Sequence, residues 1–128
     1  MTNDRVAVAT LIARLYELLD EQRFDELDSV YADDAVLRFP NGELRGLTEV
    51  TAKARARAEQ YPRMQHLNTD LRVEVDGDRA HGRSNHLAIH FEASGKRYDA
   101  GLVHHFEAAR TAVGWRLVRV TGDLVWST

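Results

Sequence analysis

Apolar residues recur at three- and four-residue intervals near the start of the chain. Val8, Leu11, Ile12, Leu15 and Leu19 form one stripe, which predicts an amphipathic helix over residues 4–20. Asn3 or Asp4 can cap its first turn. Tyr16 and Asp20 lie four residues apart and share a face at its C-terminal end. An acid there opposes the helix dipole at a cost of about 0.3–1 kcal/mol, so Asp20 is either a solvated end group or a residue kept for another reason. Residues 24–31, FDELDSVY, predict a second, short helix that buries Phe24, Leu27, Val30 and Tyr31. A short strand over Ala35–Phe39 follows. Asn41-Gly42 signals a tight hairpin, with Glu43–Arg45 pairing back. After a break at Gly46, Thr48 can cap a third helix over Glu49–Tyr61, which Pro62 ends.

Beyond Pro62 the pattern turns from helical to alternating. Strands are expected over residues 64–76, 79–92, 97–108 and 115–126, separated by Asp76-Gly77-Asp78, Ser94-Gly95-Lys96 and the loose turn Thr111–Gly114. Helices come first and four long strands follow, so the class is α+β. The expected architecture is a cone-shaped, curved antiparallel sheet packed with three N-terminal helices that enclose a pocket. No repeat or linker interrupts the chain, and residues 1–128 read as a single domain.

Composition acts mainly by exclusion. The length of 128 residues suits one domain with one core, and the apolar fraction of 44% is ordinary. A net charge of −3 gives no reason to expect nucleic acid as a partner. No apolar run approaches a membrane span, and the first ten residues lack a basic-then-apolar signal pattern. With no cysteine there is no disulfide framework, thiol nucleophile or thiolate metal site. A soluble, cytoplasmic protein is expected.

Candidate chemistry centres on Pro62–Asp76. Leu71, Val73 and Val75 share one parity, while His66, Asn68, Asp70, Arg72 and Glu74 share the other. In an unbroken strand His66 therefore points away from the core. A bulge near Asn68–Thr69 would reverse it. The reading adopted is inward, toward Asp20. On the following strand Ala80, Gly82, Ser84, His86, Ala88 and His90 make a small, polar face. That face suits the lining of a cavity, or a bed for a packed helix with His86 as a core histidine. The next strand offers Tyr98, Ala100, Leu102 and His104, and the last Val118, Val120, Gly122 and Leu124. These sets suit an apolar pocket with a few polar anchors. His86 and His90 are about 13 Å apart along a strand, and His104 and His105 face opposite ways, so no metal site is expected. No Ser sits in a nucleophile elbow and no Gly-rich loop cradles phosphate. Asp33-Asp34 reads as a solvated pair.

The order helix, short helix, strand, helix, four long strands resembles the nuclear transport factor 2-like superfamily, and within it the SnoaL-like and scytalone dehydratase-like branch. The segments carrying the resemblance are LLDEQRFDELDSVYADDAVLRF, GLTEV, QHLNTDLRVEVDGDRAHGRS and GWRLV, which span nearly the whole chain. The branch includes dehydratases, a hexachlorocyclohexane dehydrochlorinase, isomerases and polyketide cyclases. Several pair an Asp at the end of the first helix with a His on the strand after the third. By the resemblance these positions are Asp20 and His66, and a second histidine of scytalone dehydratase matches His90. The pocket departs from both named enzymes: their polar or aromatic positions fall at Phe39, Ala100, Leu102 and near Val120, with Arg119 one residue off and facing away.

The resemblance thus implies a cofactor-independent lyase or isomerase of dehydratase or cyclase type. Its substrate would be a small, hydrophobic, cyclic molecule. Asp20 would orient His66 as general base. Tyr16, Tyr31, His86, His90 and His104 are candidate donors, and Phe39, Tyr98, Leu102 and Val120 complete the expected pocket. No organic cofactor is expected. The alternative is a small-molecule-binding or assembly module of the same fold without catalysis. Leu87, Ile89 and Phe91 on the outward sheet face suggest a homodimer.

Overall fold

The structure is a computed structural model that describes residues 3–128. Helix α1 (Asp4–Asp20) begins where the sequence places it, with the Asn3 side chain accepting from the Val6 N–H. Its buried face holds Val8, Leu11, Ile12, Leu15 and Leu18, while Leu19 is only half-buried. A single 3-10 helix, Phe24–Ser29, stands where a short helix was expected. Strand β1 (Tyr31–Phe39) then starts four residues earlier than predicted, and β2 (Gly42–Arg45) pairs back on it. Helix α2 (Leu47–Gln60) also starts earlier. Its N-cap is Gly46, at φ 87°, and not Thr48. The first turn is held by the Glu49 carboxylate, which accepts from the Arg45 backbone N–H at 2.7 Å.

Strands β3 (Arg63–Asp76), β4 (Arg79–Phe91), β5 (Arg97–Thr111) and β6 (Gly114–Ser127) follow the predicted order. The six strands form one curved, unclosed sheet in the order β2-β1-β6-β5-β4-β3. It is antiparallel except between β1 and β6, which run parallel. A parallel pair needs a long crossover; here α2 and four strands separate β1 from β6 in the chain.

Two irregularities decide what faces inward. In β3 the pairing with β4 slips between Thr69 and Arg72, where Asp70 takes φ 55°. His66 and Asn68 therefore share the inner face with Leu71, Val73 and Val75. The bulge lies just beyond the expected position and does what inward pointing requires. In β6 the slip opposite Glu107/Ala108 turns Leu117 and Trp115 into the core and takes Val118 out of the expected inward row.

The core lies between α1, the 3-10 helix and the sheet, with Ile12, Leu15, Leu18, Leu27, Phe106 and Leu117 at its centre. Gly82 makes this packing possible: a Cβ there would meet the Ile12 Cδ1 at 3.1 Å. Among the described residues no helix is long and apolar enough to cross a membrane.

Candidate active site

Between the sheet, α2 and the end of α1 lies a cavity of about 410 Å³. Ten of the eleven residues singled out in the sequence line it: Tyr16, Tyr31, Phe39, His66, His86, His90, Tyr98, Leu102, His104 and Val120. Asp20 does not. It stands behind His66 at the C-terminus of α1. Its Oδ1 lies 2.5 Å from His66 Nδ1, and its Oδ2 accepts the His66 backbone N–H at 3.0 Å. One carboxylate thus clamps the ring and the strand that carries it. These charge-assisted contacts offset the unfavourable position of an acid at a helix C-terminus. With Nδ1–H donating to Asp20, His66 presents a bare Nε2.

The cavity floor holds a different arrangement. His86 and His104 stack with ring centroids 4.0 Å apart and planes inclined by 13°. Asn68 Oδ1 accepts from Ser84 Oγ at 2.7 Å and from His86 Nδ1 at 3.0 Å. The Tyr16 hydroxyl meets His104 Nδ1 at 2.8 Å. Burial, reinforced by the neighbouring imidazoles, pushes His86 down to about 2 and His104 down to about 3. Burial holds the Tyr16 phenol well above its usual range, and the Tyr31 phenol is raised for the same reason. At neutral pH this floor is uncharged. With the phenol of Tyr16 donating to Nδ1, His104 keeps its proton on Nε2.

His90 is held from both sides. Its Nδ1–H donates to the Tyr98 carbonyl at 3.1 Å, and its Nε2 accepts from Arg57 at 2.9 Å. Burial first, then the Arg57 charge, lower its pKa. Phe39 leans over Gly122, whose missing side chain leaves it room: a Cβ there would come within 2.6 Å of the Phe39 ring. Ala100, Leu102 and Val120 keep this side apolar.

Five polar residues of the site were not among the predicted ones, including Asn41 and Glu43 of the β1–β2 hairpin. Asn68 anchors the floor from β3, and Lys53 and Arg57 reach the cavity from α2. Their sequence signal is weak, because the apolar face of α2 is the thin row Leu47, Val50, Ala54 and Ala58 and the cations flank it among other arginines. Asp33 and Asp34 are exposed. Among the described residues no group of three or more His, Asp or Glu side chains is arranged to hold a metal ion.

Comparison with known proteins bears on this geometry. The SnoaL-like domain matches residues 1–121. The chain belongs to the SnoaL-like domain family. This SnoaL-like chain is 29% identical over 127 residues to the uncharacterised protein Rv2910c of Mycobacterium tuberculosis, covering 91% of this chain and 82% of that one. Among solved structures, Kfla4162 of Kribbella flavida superposes with a TM-score of 0.90 at 26% identity, covering 98% and 93% of the two chains. A type 2 hexachlorocyclohexane dehydrochlorinase, LinA, superposes with a TM-score of 0.89 at 22% identity, covering 98% and 87%. The same fold occurs in scytalone dehydratase-like and nuclear transport factor 2-like proteins.

Proposed function

We propose that this SnoaL-like domain is a cofactor-independent lyase or isomerase in which Asp20 and His66 act as a general-base pair on a small, hydrophobic, cyclic substrate. The observation that carries the reading is the contact between Asp20 and His66 Nδ1 at the wall of a largely apolar cavity that opens to solvent. The carboxylate fixes the ring tautomer and its orientation, leaving the Nε2 lone pair to accept a proton. Nε2 takes a proton from a carbon beside a carbonyl or a leaving group. In isomerisation the electron pair moves to the carbonyl oxygen, and the protonated ring then returns the proton to a different carbon as the enolate collapses; in elimination the pair expels the leaving group. General-base catalysis of this kind supplies about 10²–10⁴-fold. Donors aimed at the developing charge supply more, and His104 and Tyr31, which both line the cavity, are the candidates for that role. Elimination agrees with the dehydrochlorinase activity named for one structural relative. The apolar side at Phe39, Ala100, Leu102 and Val120 argues for a different substrate.

The test is proton exchange and turnover in D2O with a panel of cyclic ketones, β-hydroxyketones and halocycloalkanes. With wild-type protein, solvent deuterium should enter the ketones by exchange or isomerisation, and halide or water should be released from the elimination substrates. The rate should fall by about 10²–10⁴ in His66→Ala. A loss of less than tenfold on a substrate that is turned over removes His66 as the base. Saturable binding across the panel with neither exchange nor turnover favours a ligand-binding module.

A further inference from the structure

The cavity has a cationic side that proton abstraction alone does not need. Lys53 and Arg57 are one helical turn apart on α2 and so lie beside each other. Among the described residues they are the only Lys or Arg side chains lining the cavity, and the one acid among its lining residues, Glu43, already pairs with Arg45 at 2.9 Å. Neither Lys53 nor Arg57 has a carboxylate within 4.0 Å among the described residues. Arg55, by contrast, on the outer side of the same helix, is paired with Asp25.

Arg57 is nevertheless held in place. It gives one N–H to His90 Nε2 at 2.9 Å, and its guanidinium lies over the Tyr61 ring at 5.5 Å. His90 is in turn fixed by the Tyr98 carbonyl, so its proton sits on Nδ1 and its lone pair faces Arg57. A neutral imidazole orients the guanidinium without neutralising it. The remaining N–H groups are left for a partner that presents two acceptors in a plane, which is what a carboxylate does. A half-buried cation oriented by neutral groups is costly unless a ligand supplies the opposite charge.

We infer that the ligand of this cavity is a compact carboxylate, held by Arg57 with Lys53 beside it. This deepens the general-base reading and rests on it for the chemistry, though not for the binding. The centroids of His66 and His90 are 6.3 Å apart. His90, which orients Arg57, is thus near enough to His66 for the anchored carboxylate and the carbon facing His66 Nε2 to belong to one small molecule. The carboxylate is the handle, and the apolar wall at Phe39, Leu102 and Val120 receives the rest.

The experiment is a calorimetric or NMR titration of the full chain with benzoate and 1-cyclohexenecarboxylate, each against its neutral amide. Both carboxylates should bind at least about tenfold more tightly than their amides. In Arg57→Gln the preference should shrink to about threefold or less, and in Lys53→Gln it should weaken by a smaller factor. Arg57→Lys keeps the charge but loses the planar fork and should fall between them. Lys53 is exposed, so its replacement reports on binding even if the Arg57 variants fold poorly. Equal affinity for acid and amide, no saturable binding of either carboxylate, or a preference unchanged by both α2 substitutions overturns the inference. His66→Ala separates the two readings. It should leave the carboxylate preference intact while abolishing exchange, so either can fail alone.

Discussion

His66 at the wall of the cavity and His86 in its floor have ring centroids only 5.4 Å apart, yet the protein gives them opposite surroundings. His66 rests on a carboxylate that holds both its ring and its backbone N–H. His86 rests on an amide oxygen and stacks on a second buried imidazole. A carboxylate supports positive charge on the ring, whereas an amide and an apolar enclosure oppose it. Position in a pocket therefore does not by itself make a histidine a base. In the proposed mechanism the partner behind the ring does, and here it comes from the end of a helix that would ordinarily avoid an acid.

The largest expected effect comes from erasing that difference. Asp20→Asn gives His66 the kind of partner that His86 has, an amide of nearly the same shape. Once a substrate is in hand, turnover should fall by about 10²-fold, approaching the loss in His66→Ala. Carboxylate binding should change little. The check is a comparison of kcat and ligand affinity in the same preparations. A variant with near wild-type kcat would show that the wall and the floor are chemically equivalent.

The next effect concerns the floor and is read in stability. His86 and His104 are held near 2 and 3 in the folded protein, against 6.5 for a free imidazole. Above pH 6.5 both states are neutral and the full stability is present. Below it the unfolded chain binds protons that the folded chain refuses. Stability is then lost as pH falls toward the folded values, by about 1.4 kcal/mol per pH unit for each imidazole. His90 adds in the same direction. Urea unfolding between about pH 7 and pH 5 should show this slope, and His86→Asn should make it shallower by about the share of one imidazole. An unchanged slope would mean that the floor is not desolvated.

Much of the site was legible because its positions follow from periodicity. The α1 stripe placed Tyr16 inward and Asp20 at the helix end, and alternation in β4 and β5 put His86, His90, Tyr98, Leu102 and His104 on one face. His66 was legible only with a bulge. Its strand alternates the wrong way until Asp70 adopts φ 55°, and nothing local in LNTDLR requires that conformation. The two readings of β4 both hold, at different ends: Gly82 makes room for Ile12, while His86 and His90 line the cavity. What the pattern did not carry depends on the third dimension. The parallel β1–β6 pair is a long-range choice. The N-cap at Gly46 replaces a plausible Thr48 because the Glu49 carboxylate reaches back to Arg45. Arg57 looked like one arginine among several until the fold set it against His90.

The smallest effect tests what keeps the floor open without touching the wall. Gly122 lies under Phe39 and His104, and a Cβ there would stand 2.6 Å from the Phe39 ring and 3.2 Å from His104 Nε2. Gly122→Ala must push Phe39 aside and press on the stacked pair. Overpacking of this kind costs about 1–3 kcal/mol. Gly101, on the opposite face of the sheet, is covered still more closely by the Trp126 ring. That ring is 47% exposed and can swing into solvent, so Gly101→Ala should cost less despite the shorter approach. Thermal unfolding of the two variants ranks them. A larger loss from Gly101→Ala would show that the outer tryptophan is more tightly held than the cavity floor. The predicted order instead assigns the rigidity to the inner face, where the wall and floor histidines must keep their separate partners.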